Sequence, residues 1–192
     1  MRAGAAEGAG KGDDALAMRT GRSPFELVLC GLFGAAALVL PMIFHAVGLG
    51  KVFMPMFLPL LVLSFLVSAP LAAVTAVAVP VVSFLLTGMP PAYPPALPKM
   101  CVELAVMATV ASLAYRRARW GLFPSLVLAI VTERVVYVVL TIVIVGLFHL
   151  PGREITLGLL LVSWPGVLLQ LTVAPAVVRL VEPRVRRMLE VA

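Results

Sequence analysis

Hydrophobic positions in this chain come as long continuous runs, and the polar positions gather in short stretches between them. The longest run lies between Lys51 and Lys99, where 47 consecutive residues include no Asp, Glu, Lys or Arg. As helix, that length crosses a hydrocarbon core about twice. Set against Pro and Gly breakers, the runs predict six helices, over 25–47, 52–67, 70–87, 97–115, 122–149 and 156–181. The second and third are short for full spans and carry Pro55, Pro59 and Pro80, so one of them is expected to be kinked or partly re-entrant. After the third comes Gly88-Met89-Pro90-Pro91-Ala92-Tyr93-Pro94-Pro95, a stiff loop that cannot continue a helix.

Composition sharpens this to an all-α membrane protein. The chain is 62% hydrophobic and 12% charged, too little charge to solvate the outer shell of a soluble domain. Its net charge of +6 does not indicate nucleic acid, because the basic residues sit at the ends of apolar runs rather than along one face. With the amino terminus inside, Arg2, Lys11, Arg19, Arg22, Arg116, Arg117, Arg119, Arg179, Arg184, Arg186 and Arg187 fall on the cytoplasmic side, leaving only Lys51, Lys99, Arg134 and Arg153 elsewhere. An even number of spans with both termini cytoplasmic satisfies the positive-inside rule. Residues 1–24 read as a disordered tail, 25–181 as the transmembrane domain and 182–192 as a basic tail. Cys30 and Cys101 fall near opposite membrane faces, which argues against a disulfide between them.

Charged residues inside apolar runs mark the candidate site. Glu103 lies about two turns into the fourth helix, and Lys99 precedes it by four residues on the same face. The two either neutralise one another and orient the loop or hold a ligand. Glu133 and Arg134 are adjacent on the fifth helix and so diverge by about 100°, which predicts a partner on another helix; Arg134 with Glu103 is the expected buried pair. Tyr137 extends this stripe, and Gln170 lies near the middle of the last helix, where it serves a ligand or helix packing. Trp164, Tyr93 and His45 lie toward the outer face, where anchoring and capping compete with ligand binding as roles. Gly31 and Ala35 form a small-xxx-small ridge on the first helix. No phosphate-binding loop, metal-ligand cluster or catalytic carboxylate pair accompanies them, so no cofactor, metal or enzymatic activity is expected.

Four segments in order carry a resemblance: residues 45–56 (HAVGLGKVFMPM), 83–91 (SFLLTGMPP), Glu103-Leu104-Ala105, and 164–171 (WPGVLLQL). Together they resemble the substrate-binding S component of energy-coupling factor (ECF) vitamin transporters, over roughly residues 25–181. The resemblance implies a six-helix bundle in a prokaryotic cell membrane, with a vitamin site near the outer face built from the first external loop, the Pro-containing loop and the outer halves of the last three helices. It also implies a complex with a transmembrane coupling subunit and two cytoplasmic ATPases, docked through the small residues of the first helix. Phe57 stands where many relatives have His, and Glu133 where they have Gly before the mid-helix Arg, so the ligand stays open. The basic residues would suit an anionic vitamin, while the two glutamates offset that charge. A stand-alone secondary carrier and an intramembrane enzyme are the rival classes.

Overall fold

The computed structural model describes residues 24–46, 48–93, 95–148 and 163–191. Among these residues every regular element is helical: α1 Pro24–Ala46, α2 Gly50–Phe53, α3 Phe57–Leu66, α4 Ala69–Thr87, α5 Ala96–Ser112 with a wider π-type turn Leu113–Arg117, α6 Leu122–Phe148 and α7 Trp164–Val191. Five helices are long and apolar enough to cross a membrane, namely α1, α4, α5 with its π turn, α6 and α7. The chain is a multi-pass membrane protein.

The expected second helix, over 52–67, is where the structure differs. It breaks at Met54, which adopts a left-handed conformation (φ 46°) and donates its N–H to the Gly50 carbonyl. Pro55 follows at once and has no N–H to donate, and with the left-handed turn at Met54 it separates α2 from α3. What remains is α3, ten residues and roughly 15 Å long, half the thickness of a hydrocarbon core. It is the buried centre of the molecule, with Leu60, Leu61, Val62, Leu63 and Phe65 almost wholly enclosed. Helices α1, α4, α5 and α7 pack around it. Its Ser64 hydroxyl returns to the Leu60 carbonyl and so is satisfied in this apolar setting.

A polar latch gathers one end of the bundle. Glu26 from the start of α1 accepts a 2.9 Å ion pair from Arg116 and a 3.1 Å hydrogen bond from Ser68. Arg116 also donates to the Leu66 carbonyl at the end of α3, and Ser112 donates to the carbonyl of Val67. Next to Arg116, Tyr115 donates to Glu182 of α7 at 2.7 Å. The start of α1, the α3–α4 turn, the end of α5 and the later part of α7 therefore share one end. The chain returns to that end through α2 and α3 together, although α3 alone is too short to span. Helix α7 continues past the expected boundary at 181 as far as Val191. Of the expected tail over 1–24, Pro24 begins α1, while residues 1–23, and 156–162 of the expected last helix, lie outside the described residues.

At the opposite end α4 stops at Gly88, whose φ of 71° caps the helix in a region closed to most side chains. The Pro-rich segment then leads into α5. Tyr93 is largely exposed on it.

Candidate functional site

Above the amino-terminal end of α3, the bundle centre changes from apolar to polar. The face of α5 that packs inward carries Lys99 and Glu103, and their side chains approach to 3.6 Å, as an i, i+4 spacing allows. Lys99 also places its ammonium 3.5 Å from the centroid of the Tyr137 ring, a cation–π contact that joins α5 to α6. On α6 the inward stripe runs Ser125, Ala129, Glu133, Tyr137 and Thr141, each four residues apart and each buried. Arg134 lies beside this stripe and bridges onward. Its guanidinium donates to Ser163 at the head of α7 (3.2 Å) and to the sulfur of Met54 (3.2 Å).

Arg134 departs from expectation in one respect. Its Nε lies 3.1 Å from Oε2 of its neighbour Glu133, so the adjacent pair does meet. No Arg134–Glu103 pair forms among the described residues, and Glu103 takes Lys99 instead. The physical reason is length: although Cβ vectors of adjacent helical residues diverge, the long Arg side chain can turn back along the helix surface.

Helix α7 closes the site through close approach of backbone. A Cβ on Gly166 would come within 2.8 Å of the Phe53 carbonyl oxygen and 3.0 Å of that of Val52, so only glycine lets α7 lie against α2. That contact sets Met54 and Ser163 on either side of the Arg134 guanidinium. Gln170, one turn beyond Gly166 on the same helix face, is 1% exposed.

The cluster is unusual in how much hydrogen-bonding capacity it leaves unspent. Glu103 Oε1, both oxygens of Glu133, Arg134 Nε, the Tyr137 hydroxyl, and both amide atoms of Gln170 are buried without a hydrogen-bond partner. Glu103 Oε1, Glu133 Oε2 and Arg134 Nε stand in the ion pairs above, which leaves Glu133 Oε1, the Tyr137 hydroxyl and the two Gln170 amide atoms without either kind of partner, each at a cost of about 1–3 kcal/mol. Ser125 Oγ, deeper on α6, has no hydrogen-bond partner either.

The structure therefore brings together Lys99, Glu103, Arg134 and Tyr137 from the sequence-derived set, adds Glu133, Met54 and Ser163, and buries Gln170 on α7 one turn beyond Gly166. Three members of that set lie apart. His45 is exposed at the end of α1, its Nδ1 2.7 Å from the Pro41 carbonyl and its ring against Gly50, which makes it a helix-end cap. Trp164 is 59% exposed and Tyr93 is 68% exposed. Ser163 and Met54 carry no charge, and although Met54 falls in the 45–56 segment, its side chain was not among the expected site residues. On the far side of α1, Gly31 and Ala35 are exposed, and a Cβ on Gly31 would meet nothing within 4 Å. Among the described residues no group of His, Cys, Asp and Glu could hold a metal ion.

No family model, no curated protein and no solved structure matches this chain.

Proposed function

We propose that this protein is the substrate-capturing membrane subunit of an ECF-type importer, taking a vitamin or related micronutrient from the outer face of a prokaryotic plasma membrane. The observation that carries the reading is the buried polar cluster of Lys99, Glu103, Glu133, Arg134 and Tyr137 on α5 and α6, with Gln170 buried on α7, in which Glu133 Oε1, the Tyr137 hydroxyl and both Gln170 amide atoms have neither a hydrogen bond nor an ion pair. Such a cluster in a membrane bundle is expensive unless a solute completes it. The apolar plug α3 supports the same reading. It fills the latch end of the bundle with enclosed apolar side chains, Leu60, Leu61, Val62, Leu63 and Phe65, which suits capture of a solute rather than its conduction. A chain of this kind needs an energy source outside itself, here a transmembrane coupling subunit and two cytoplasmic ATPases. Gly31 and Ala35 on the exposed face of α1 are the proposed contact with that subunit. Both termini are then cytoplasmic, on the side of the Glu26–Arg116 latch.

Co-purification from native membranes in mild detergent, together with uptake assays, tests the proposal. A transmembrane subunit and ABC-type ATPases should accompany the chain, and uptake should require ATP. Gradient-driven uptake by the purified chain alone in proteoliposomes would instead make it a secondary carrier.

A further inference from the structure

A groove runs along the outside of the bundle where α4 meets α5. Val77 and Val81 of α4 and Pro98, Cys101, Val102 and Ala105 of α5 line it, and its volume is about 570 Å³. Its most polar lining group is the Cys101 thiol, which already donates to the Val77 carbonyl at 3.9 Å. Lys99 and Glu103 occupy the neighbouring face of α5, where they meet each other and Tyr137, and neither lines the groove. The walls open outward: Val77, Val81 and Val102 are 40%, 37% and 44% exposed, and the same surface continues along α4 through the exposed Val74, Val82 and Leu85. In a membrane-spanning bundle, that surface is the one that meets acyl chains.

The dimensions of the groove select its occupant. On α5 the lining positions run over residues 97–106, roughly 14 Å of helix starting in the first turn, which is about the depth of hydrocarbon in one leaflet. The volume spread over that length gives a mean section of roughly 40 Å², half or less that of a helix with its side chains. A partner helix is therefore too wide to enter, whereas an extended hydrocarbon chain is not. Water finds almost nothing to bond to on these walls, and an empty groove forfeits the dispersion contacts of its lining. We propose that this groove seats one acyl chain of a phospholipid from the leaflet on the side of the Pro-rich loop, and holds it more tightly than lipid elsewhere around the bundle. The seat requires only that the chain spans a membrane, and it stands whether or not the polar cluster holds a solute.

Native mass spectrometry of the delipidated full chain in detergent, titrated with dioleoyl phosphatidylcholine, tests this; the zwitterionic headgroup keeps the basic residues from dominating the result. In wild type the first lipid should bind about tenfold more tightly than those that follow. Ala105→Phe and Val77→Phe fill the groove from opposite walls, and each should weaken that first binding about tenfold, to the level of the rest. Val135→Phe, on the exposed face of α6, should leave it unchanged. Thermal unfolding checks the fold of each variant. Absence of a tighter first lipid on wild type, its retention by both groove-filled variants, or its equal loss in Val135→Phe would overturn the proposal. A second measurement is independent of those variants: benzoylphenylalanine in place of Val102, photoactivated in native membranes, should crosslink to phospholipid. Crosslinking to a protein instead would overturn the lipid seat and make the groove a contact for a partner chain.

Discussion

Glu26 and Arg116 stand ninety positions apart in the chain and meet at 2.9 Å, joining the first turn of α1 to the π turn that ends α5. Glu26 is 3% exposed, whereas the Arg116 side chain is partly open to its surroundings. Removing the arginine leaves a buried carboxylate held only by Ser68. Arg116→Met is therefore expected to lower stability by about 1–3 kcal/mol, and pairing it with Glu26→Leu should recover most of that loss. Thermal unfolding in detergent measures both. Equal stability of wild type and Arg116→Met would show that the latch does not hold the bundle end together.

Gly166 offers a separate test, because its contact is backbone against backbone. In Gly166→Ala the new Cβ meets the Phe53 carbonyl oxygen at 2.8 Å, and no side-chain rotation can relieve it. Helix α7 must move from α2, at an expected cost of about 1–3 kcal/mol, and Ser163 and Met54 separate around Arg134. Ligand affinity should fall along with stability. Gly31→Ala, where a Cβ meets nothing within 4 Å, is the control and should leave both unchanged.

Much of this fold was legible from the chain's apolar runs. The first, third, fourth and fifth expected helices correspond closely to α1, α4, α5 and α6, because uninterrupted hydrophobic runs bounded by Gly and Pro leave few alternatives. The second did not survive as one helix. Its composition does not distinguish a short helix enclosed by protein from a longer one facing lipid, since both are uniformly apolar. Of the site, the intramembrane charges announced themselves, and spacing gave the Lys99–Glu103 pair. The partner of Arg134 did not follow, because the direction a long side chain takes is set by packing against Ser163 and Met54, far away in sequence. Glu26 has no place among the residues singled out from the sequence, because its burial and pairing come from the approach of α5.

Topology follows from the shared end. If the latch end is cytoplasmic, the Pro-rich loop between α4 and α5 is external. A cysteine at Ala92, in a background lacking Cys30 and Cys101, should react with a membrane-impermeant reagent in intact cells. Reaction only after lysis would place the loop inside.

The exposed ridge of α1 should matter for partners and not for the solute. Gly31→Leu and Ala35→Leu project into open space, so the fold and ligand binding should persist. Co-purification with a coupling subunit and ATP-dependent uptake should be lost. Full assembly of both variants would remove this face from the docking surface.

The central claim is that the buried polar cluster of α5, α6 and α7 holds a solute. Mass spectrometry of small molecules released from gently purified protein tests it most directly, comparing wild type with Gln170→Leu, which removes two unpartnered polar atoms from an enclosed position. The account predicts one compound at near-stoichiometric amount on wild type. On Gln170→Leu, whose stability should equal or exceed that of wild type, its affinity should drop by about five- to 150-fold, the equivalent of roughly 1–3 kcal/mol. Equal retention of that compound by both proteins, or no retained compound on either, would contradict it.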